Sequence, residues 1–343
     1  MRVMGRSSNV KVDVRADGMG LSSRAGTALL ALAAQRLGLT DALGWALAGT
    51  RERRSAHDPG RVLCDLAVML ADGGRCVSDL IALGSQPALF GDVASVSTAR
   101  RVMFSIGEAE LERLRAARAQ ARERAWAAGA APGEVILDFD ATPITAHSEK
   151  EHAAGHYKGG FGFHPLLASC GREVLAAVLR PGNAGANNAD DHVRVFELAL
   201  AQLPPSALDG PILVRSDSAG ASHAFAGACR ETRARFSFGY AIDERVRALK
   251  NTGLSNLPFS AFAPNQAWLE AALVAHDLTV WTQQLLFDGD HRVCEPKRLR
   301  YRLLHVAGRL TRHARRLTLH LPADWPWAAA IARAFKRLAA LPA

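Results

Sequence analysis

The stretch Val135-Ile136-Leu137-Asp138-Phe139-Asp140 decides the fold, because it joins an apolar β-strand to two carboxylates at its end. Side chains alternate between the two faces of a strand, so Asp138 and Asp140 point to the same face. A carboxylate pair is costly to desolvate there unless a cation or a hydrogen-bond network meets it. The stretch therefore predicts a cation site, with a solvent-exposed strand end as the plainer alternative.

A second strand end repeats this pattern. Residues 212–215 form a short apolar strand, and Asp217 follows it in the run Ser216-Asp217-Ser218-Ala219-Gly220. Two such ends in one sheet can converge on a divalent ion. Carboxylates suit Mg²⁺, and two ions about 4 Å apart can bind both the attacking and the leaving oxygen of a phosphodiester.

The order of elements around these acids indicates an α/β fold. Strands are predicted at 135–139, 161–168, 174–179, 212–215 and 236–240, with helices at about 190–203 and 222–233. This β-β-β-α-β-α-β order, with an acid on the first strand and another after the fourth, resembles the ribonuclease H-like nucleases and transposases. The likeness is one of fold alone. A third acid, usually a Glu on a later helix, is expected to complete the metal site.

Helical regions flank this core. Residues 1–130 are predicted to form a helical domain for DNA binding or assembly, residues 131–250 the catalytic core, and residues 251–343 a basic helical region. In the first region, the helices near 60–83 fit either a helix-turn-helix that contacts DNA or plain packing. The segment 108–126 places acids first and arginines later, which favours a solvent-exposed charged helix.

The charge of the chain is concentrated at one end. The 343 residues carry a net charge of +9, and residues 291–343 alone carry +10, so the rest is nearly neutral. A basic tail of this kind predicts a polyanionic partner. No apolar run approaches the roughly 18 residues that span a bilayer, so no membrane is expected. The five cysteines are odd in number and form no C-x-x-C pair, which favours a reducing cytoplasm.

Other chemistries fit the sequence less well. His152 and His156 are four residues apart, but they lack the H-E-x-x-H pattern of a zinc site. The glycines after Lys158 lack the spacing of a phosphate-binding loop and favour a tight turn instead. The sequence contains no G-x-S-x-G elbow of a serine hydrolase.

Nine runs along the chain closely resemble the insertion-sequence DDE transposases of the 1380 group. The resemblance covers nearly the whole sequence. The runs are HDPGR (57–61), ADGG (71–74), QPALFG (86–91), DFDAT (138–142), YKGGFGFHPL (157–166), LRPGNA (179–184), RSDSAG (215–220), NTGL (251–254) and EPKRLR (295–300).

The resemblance implies a transposase of a bacterial insertion sequence, which binds the ends of the element and catalyses metal-dependent DNA cleavage and strand transfer. It implies two Mg²⁺ or Mn²⁺ ions as cofactors and double-stranded DNA, both transposon ends and target, as partner. A homodimer or higher assembly on DNA is expected, in the bacterial cytoplasm and associated with the nucleoid.

The same resemblance assigns roles to individual residues. Asp140 corresponds to the first metal-binding acid and Asp217 to the second, with Asp138 as a less favoured ligand. Lys250 corresponds to a basic residue beside the site. Contacts to DNA are expected from Lys158, Arg180, Lys297, Arg298 and Arg300.

The third acid is where the chain departs from the family pattern. A Glu is expected seven positions before Lys250, after a long β-rich insertion, but here residues 240–249 run straight into Lys250. An internal deletion that ends between Leu249 and Lys250 would account for this. Asp243 lies at the expected spacing and Glu244 is one position off, so either is a substitute third acid.

Four alternatives remain at this point. The chain is an active transposase, or an inactive remnant that only binds DNA or intact transposase. Otherwise it is a metal-dependent hydrolase of small phosphoesters, or it is too disrupted by the deletion to fold.

Overall fold

The computed structural model describes residues 2–5, 8–11, 19–51, 56–146, 149–156, 159–239, 248–313 and 316–342. The strands are β1 (Arg2–Gly5), β2 (Ser8–Lys11), β3 (Leu21–Ser22), β4 (Val135–Ala141), β5 (Ile144–Thr145), β6 (Ala154–His156), β7 (Gly160–Phe163), β8 (Leu166–Cys170), β9 (Glu173–Val178), β10 (Ile212–Ser216), β11 (Arg235–Phe238), β12 (Gly308–His313) and β13 (Arg316–His320).

The helices alternate with short 3₁₀ and π-helical turns. The α-helices are α1 (Ala28–Arg36), α2 (Leu39–Leu47), α3 (Pro59–Ala71), α4 (Ile81–Gly84), α5 (Pro87–Phe90), α6 (Val96–Ser105), α7 (Glu108–Ala125), α8 (Ala189–Leu200), α9 (Pro205–Leu208), α10 (His223–Glu231), α11 (Phe262–Leu286), α12 (Asp290–Val293), α13 (Pro296–Leu299) and α14 (Ala328–Ala340). The turns are Ala25–Thr27, Ala48–Thr50, Val77–Leu80, Trp126–Ala130, Ser218–Gly220, Lys250–Leu254 and Arg300–Leu304. None of these described helices is both long and apolar enough to cross a bilayer.

A mixed five-stranded sheet with the order β11-β10-β4-β8-β9 carries the acids. Strand β10 runs parallel to both β4 and β11, whereas β8 runs antiparallel to β4 and β9. Strand β9 therefore runs parallel to β4, so the two strands end at the same edge of the sheet. The mixed α/β class expected from the sequence is confirmed.

The strand predicted at 161–168 is in fact two strands. It breaks at His164-Pro165, between β7 and β8. Proline has no backbone N–H to donate, so it does not sit in the middle of a sheet. After the break β8 joins the central sheet, while β7 pairs with β5 and β6 in a separate three-stranded sheet.

Helix α11 lies at the centre of the helical part of the molecule. Its tryptophans, Trp268 and Trp281, are fully buried. One continuous hydrophobic core contains Ala25, Leu137 and Leu338, and so draws on all three predicted regions. The flanking helical regions therefore pack onto the sheet through α11.

Helix α7 corrects the prediction of a solvent-exposed charged helix, because Arg118 and Arg122 are fully buried. Arg118 contacts Glu270 at 3.3 Å and Asp277 at 2.9 Å, and both acids lie on α11. Arg122 contacts Asp277 at 2.9 Å and Glu173 at 2.7 Å. Burial of a charge is tolerated only when it is paired in this way. We refer to Arg118, Arg122, Glu173, Glu270 and Asp277 as the buried ion network.

The C-terminal region contains a β-hairpin as well as the expected helices. Strands β12 and β13 pair antiparallel, and the beginning of β12 pairs with β3 near the start of the chain. Strand β12 contains a single leucine, Leu310, and its side chains are mostly exposed or half-buried. The many basic residues obscure the alternation of apolar and polar residues that predicts a strand.

Candidate active site

The two predicted acids come together at the carboxyl ends of neighbouring parallel strands. In the register of β4 and β10, Asp138 lies opposite Arg215 and Phe139 lies opposite Ser216. Continued by one residue, this register sets Asp217 beside Asp140. Neighbouring strands lie about 4.8 Å apart. Both carboxylates therefore lie at one edge of the sheet, which we call the carboxyl edge.

The two acids differ in their surroundings. Asp140 is half-buried at the end of β4, and Asp217 is exposed just beyond β10. An Asp217 side-chain oxygen accepts a hydrogen bond from the backbone N–H of Ala219 at 3.0 Å, which caps the turn Ser218–Gly220. A capping bond of this kind holds the side chain in a fixed direction. The pair offers hard oxygen ligands, which suit Mg²⁺ or Mn²⁺.

Asp138, the less favoured ligand, is bound by an arginine. The carboxylate is 1 % exposed and receives two hydrogen bonds from Arg215, from Nε at 2.6 Å and from Nη2 at 2.9 Å. This two-point contact joins β4 to β10 two residues before Asp140 and Asp217. Bidentate pairs of this type are the stronger kind of ion pair. Asp138 thus fixes the register that places the other two acids side by side.

Phe139 packs against the helices, and this puts Asp138 and Asp140 on the other face of β4. Its ring is buried and contacts the rings of Phe196 on α8 at 6.2 Å and Phe225 on α10 at 5.0 Å. A Cβ atom at Gly220 would lie 2.2 Å from Oγ of Ser216. The turn that follows Asp217 therefore requires glycine at position 220 for this close approach.

Arg180 lies at the same edge, just past the end of β9, and is buried. It donates to the backbone oxygen of His164 at 2.8 Å and to the Asp191 carboxylate at 3.0 Å. Nη2 of Arg180 has no hydrogen-bond partner within the described residues, and the side chain borders a cavity of about 390 Å³. The cavity is also lined by Arg115 and Arg194.

Two residues at this edge were not singled out from the sequence. One is Arg215, which binds Asp138. The other is His192 on the first turn of α8, whose Nδ1 lies 2.8 Å from the backbone oxygen of Asn188. Burial lowers the pKa of His192, and the Asp217 carboxylate is among the groups that oppose this shift. The signal for Arg215 was available, because it precedes Asp217 by the same two residues that separate Asp138 from Asp140.

The remaining predicted residues lie elsewhere or outside the described ranges. Asp243, Glu244 and Lys158 fall in 240–247 and 157–158, which the structure does not describe. Among the residues that it does describe, no group of three or more His, Cys, Asp or Glu side chains is placed to hold a metal ion. Lys250 is half-buried and begins the turn Lys250–Leu254.

The three basic residues predicted in the EPKRLR run divide into two kinds. Lys297 and Arg298 are exposed on α13. Arg300 is buried and donates to the backbone oxygen of Asn251 at 3.1 Å from both Nη atoms. The guanidinium of Arg300 thus links the NTGL run to the EPKRLR run.

A family model described as "Transposase DDE domain group 1" matches the chain over residues 4–252 and again over residues 241–343. The two matched pieces together cover almost the whole chain and overlap at 241–252. No curated protein and no solved structure matches the sequence.

Proposed function

The chain belongs to the group 1 family of DDE transposase domains, and from that premise we propose that Asp140 and Asp217 are the first and second metal-binding acids of its active site. The observation that carries this proposal is the parallel register of β4 and β10, which sets the two acids side by side. A divalent cation between two carboxylates at a sheet edge relieves their mutual repulsion and takes their oxygens as ligands.

The sheet supports a ribonuclease H-like assignment for the core. In chain order its strands and main helices are β4, β8, β9, α8, β10, α10 and β11. This corresponds to the β-β-β-α-β-α-β order expected for such nucleases. We assign the third acid to Asp243 or Glu244, on the segment that leads into Lys250.

The reaction that we assign is cleavage of a DNA phosphodiester followed by strand transfer. Two Mg²⁺ or Mn²⁺ ions, when bound, would supply Lewis-acid stabilisation of the attacking and leaving oxygens. Asp140 and Asp217 would provide their carboxylate ligands, and the Arg215–Asp138 pair would keep those ligands in place. Attack by water breaks the bond between phosphorus and the 3′ oxygen, leaving a 3′-hydroxyl and a 5′-phosphate. The 3′-hydroxyl then attacks a phosphodiester of the target, which forms a new bond to its phosphorus, breaks the bond from that phosphorus to the 3′ oxygen and releases a 3′-hydroxyl of the target strand.

The basic residues supply the contacts to DNA. Lys297 and Arg298 are exposed and would bind phosphates directly, as would Lys158. The Arg180 side chain lines the cavity at the carboxyl edge, and a phosphate there would engage its Nη2, which is buried and has no hydrogen-bond partner within the described residues. The buried Arg300 would act by holding α13 in place. Phosphate contacts of this kind make affinity fall steeply with salt. We assign the working form to a dimer or higher assembly on the DNA of the bacterial nucleoid.

An end-cleavage assay tests this proposal. The substrate is DNA that carries the two ends of the element, with Mg²⁺ or Mn²⁺, and the variants are Asp140→Asn and Asp217→Asn. Asp209→Asn, at an exposed acid remote from the carboxyl edge, is the matched control. We expect cleavage by the wild type and the control and a loss of at least 100-fold in both active-site variants. Equal cleavage by all four proteins would overturn the assignment of Asp140 and Asp217.

A second candidate function is DNA binding without cleavage, as an inactive remnant that occupies element ends or pairs with intact transposase. The overlap of the two family matches at 241–252 favours it, because an internal deletion would place its junction there. DNA binding by the wild type, with no cleavage above the level of Asp140→Asn, would select this candidate.

A further inference from the structure

Three aromatic side chains form a cluster on the surface of the C-terminal region, which we call the aromatic cluster: Tyr301, Trp325 and Trp327. The ring of Tyr301 lies 6.1 Å from each tryptophan ring, and the two tryptophans are 5.3 Å apart. All three contacts are edge-to-face, which leaves ring faces outside the cluster.

The rings are held in place by their neighbours. Nε1 of Trp325 donates to the backbone oxygen of Arg302 at 3.0 Å, and the Arg302 guanidinium lies 4.9 Å from the centre of the Trp327 ring. Tyr301 lies in the turn Arg300–Leu304, which the buried Arg300 anchors through its bonds to Asn251. The cluster is therefore a preformed surface and not a loose set of side chains.

Packing of the protein alone does not account for the cluster. The tryptophans are half-buried and rest on the hydrophobic core, but Tyr301 is 65 % exposed. Exposed apolar patches on folded proteins mark binding surfaces, because leaving such rings in water costs free energy.

Basic side chains lie next to the aromatic cluster. Tyr301 borders a cavity of about 540 Å³ that is also lined by Arg24, Lys297 and Arg300. The cavity contains two acids that already have partners: Asp72 accepts a hydrogen bond from Thr27 at 2.6 Å and pairs with Arg24, and Asp79 accepts hydrogen bonds from backbone N–H groups. Lys297 is exposed at the rim of the cavity. A phosphate is therefore matched by Lys297 next to the aromatic rings.

We propose that the aromatic cluster binds an unpaired nucleotide of a DNA strand, with the base on the exposed ring face of Tyr301 and the phosphate beside Lys297. Within a duplex both faces of each base are covered by its neighbours, so only an unpaired base offers a face to a protein ring. Aromatic rings beside positive charge are the usual platform for such bases. This inference rests on the proposed function for the identity of the polyanion, but it uses no residue of the carboxyl edge.

Binding of a labelled oligothymidine by the full-length chain tests the proposal, with a duplex of equal length as the second probe. The variants are Tyr301→Ala and Trp327→Ala. Tyr301→Phe retains the ring, and Trp45→Ala is the matched control, because Trp45 is a tryptophan that is 82 % exposed elsewhere on the surface. Thermal melts of each variant show whether it is folded.

We expect the two alanine variants to bind the single strand about 5- to 100-fold more weakly, while Tyr301→Phe and Trp45→Ala bind as the wild type does. Duplex binding should change by less than about twofold, because phosphate contacts supply it. An equal loss on both probes, or no loss on the single strand in folded variants, would overturn the proposal.

The outcome is separable from that of the end-cleavage assay. Asp209→Asn should bind the labelled single strand as the wild type does. If Tyr301→Ala binds it normally and Asp140→Asn still fails to cleave, the aromatic cluster is not the site and the proposed function stands. If Tyr301→Ala fails to bind the single strand and Asp140→Asn cleaves as the wild type does, the aromatic cluster is the binding site and the proposed function fails.

Discussion

Two groups of acids in this molecule have opposite surroundings. In the buried ion network, Glu173, Glu270 and Asp277 are surrounded by arginines from α7. At the carboxyl edge, Asp140 and Asp217 lie side by side, and Arg215 binds Asp138. Acids that arginines neutralise hold the fold together. We expect acids that are set side by side at a sheet edge to bind a divalent cation.

The buried ion network also differs from the carboxyl edge in the free-energy cost of burying its charges. Burial raises the pKa of Glu173, and the adjacent Arg122 opposes that shift. Glu173 further accepts hydrogen bonds from Trp126 at 2.6 Å and Trp281 at 2.9 Å. Removal of one partner from such a site leaves an uncompensated charge, which is the most damaging change available in it.

The largest effect is expected from Arg122→Ala, because it removes an ion-pair partner from both Asp277 and Glu173. We expect the free energy of unfolding to fall by about 3–5 kcal/mol, measured by urea denaturation. Arg194→Ala is the control, because Arg194 is exposed and pairs with the exposed Glu108 at 3.1 Å. Its cost should stay below about 1 kcal/mol. Equal losses in the free energy of unfolding for the two variants would contradict the difference between buried and exposed ion pairs.

Asp65 is an intermediate case, a buried acid whose partner Arg61 is itself 43 % exposed. Burial raises the pKa of Asp65 to about 6, although Arg61 opposes the shift. Because the folded pKa lies above the unfolded value of about 3.9, the stabilisation from Asp65 is complete below pH 3.9. It is lost as the pH rises through 6.

Relative to Asp65→Asn, the wild type should therefore lose about 2 kcal/mol of stability between pH 4 and pH 7. Urea denaturation of both proteins at the two pH values measures this, because the titration of all other groups cancels in the difference. A difference that stays constant, or that grows in favour of the wild type as the pH rises, would contradict the raised pKa.

A smaller effect is expected from Arg215→Lys, which replaces a two-point contact with Asp138 by a single one. We expect a loss of about 1–2 kcal/mol in the free energy of unfolding. Arg235→Lys is the matched control, because Arg235 is exposed on the adjacent strand β11. If both variants were equally stable, Arg215 would not be what fixes the register of β4 and β10.

The smallest effect on stability is expected at the carboxyl edge itself. Asp140→Asn and Asp217→Asn each remove one of two like charges and retain the size of the side chain. The free energy of unfolding should change by no more than about 0.5 kcal/mol in the absence of divalent ions. A loss comparable to that of Arg122→Ala would show that these acids are structural.

The sequence predicted the carboxyl edge more completely than the buried ion network. Strand ends are local features, so an apolar run that finishes in an acid identifies Asp140 and Asp217 without knowledge of their neighbours. Asp277, which pairs with both Arg118 and Arg122, lies some 150 residues away on α11, and Glu173 lies 51 residues from Arg122 on β9. In sequence, those arginines resemble the solvated face of a charged helix, which is what we predicted for them.

Two further differences have local causes. Pro165 interrupts the apolar run at 161–168 between β7 and β8, so two strands stand where the run predicts one. The hairpin of β12 and β13 was not predicted, because arginines and histidines occupy positions that would otherwise alternate.

The central claim is that Asp140 and Asp217 together bind a divalent cation, and Mn²⁺ binding to the full-length protein, followed by electron paramagnetic resonance, tests it most directly. We predict that the wild type and Asp209→Asn take up Mn²⁺ and that Mg²⁺ displaces it. Asp140→Asn and Asp217→Asn should each lose this binding while they remain folded. Uptake of Mn²⁺ by these two variants at the level of the wild type would contradict the account.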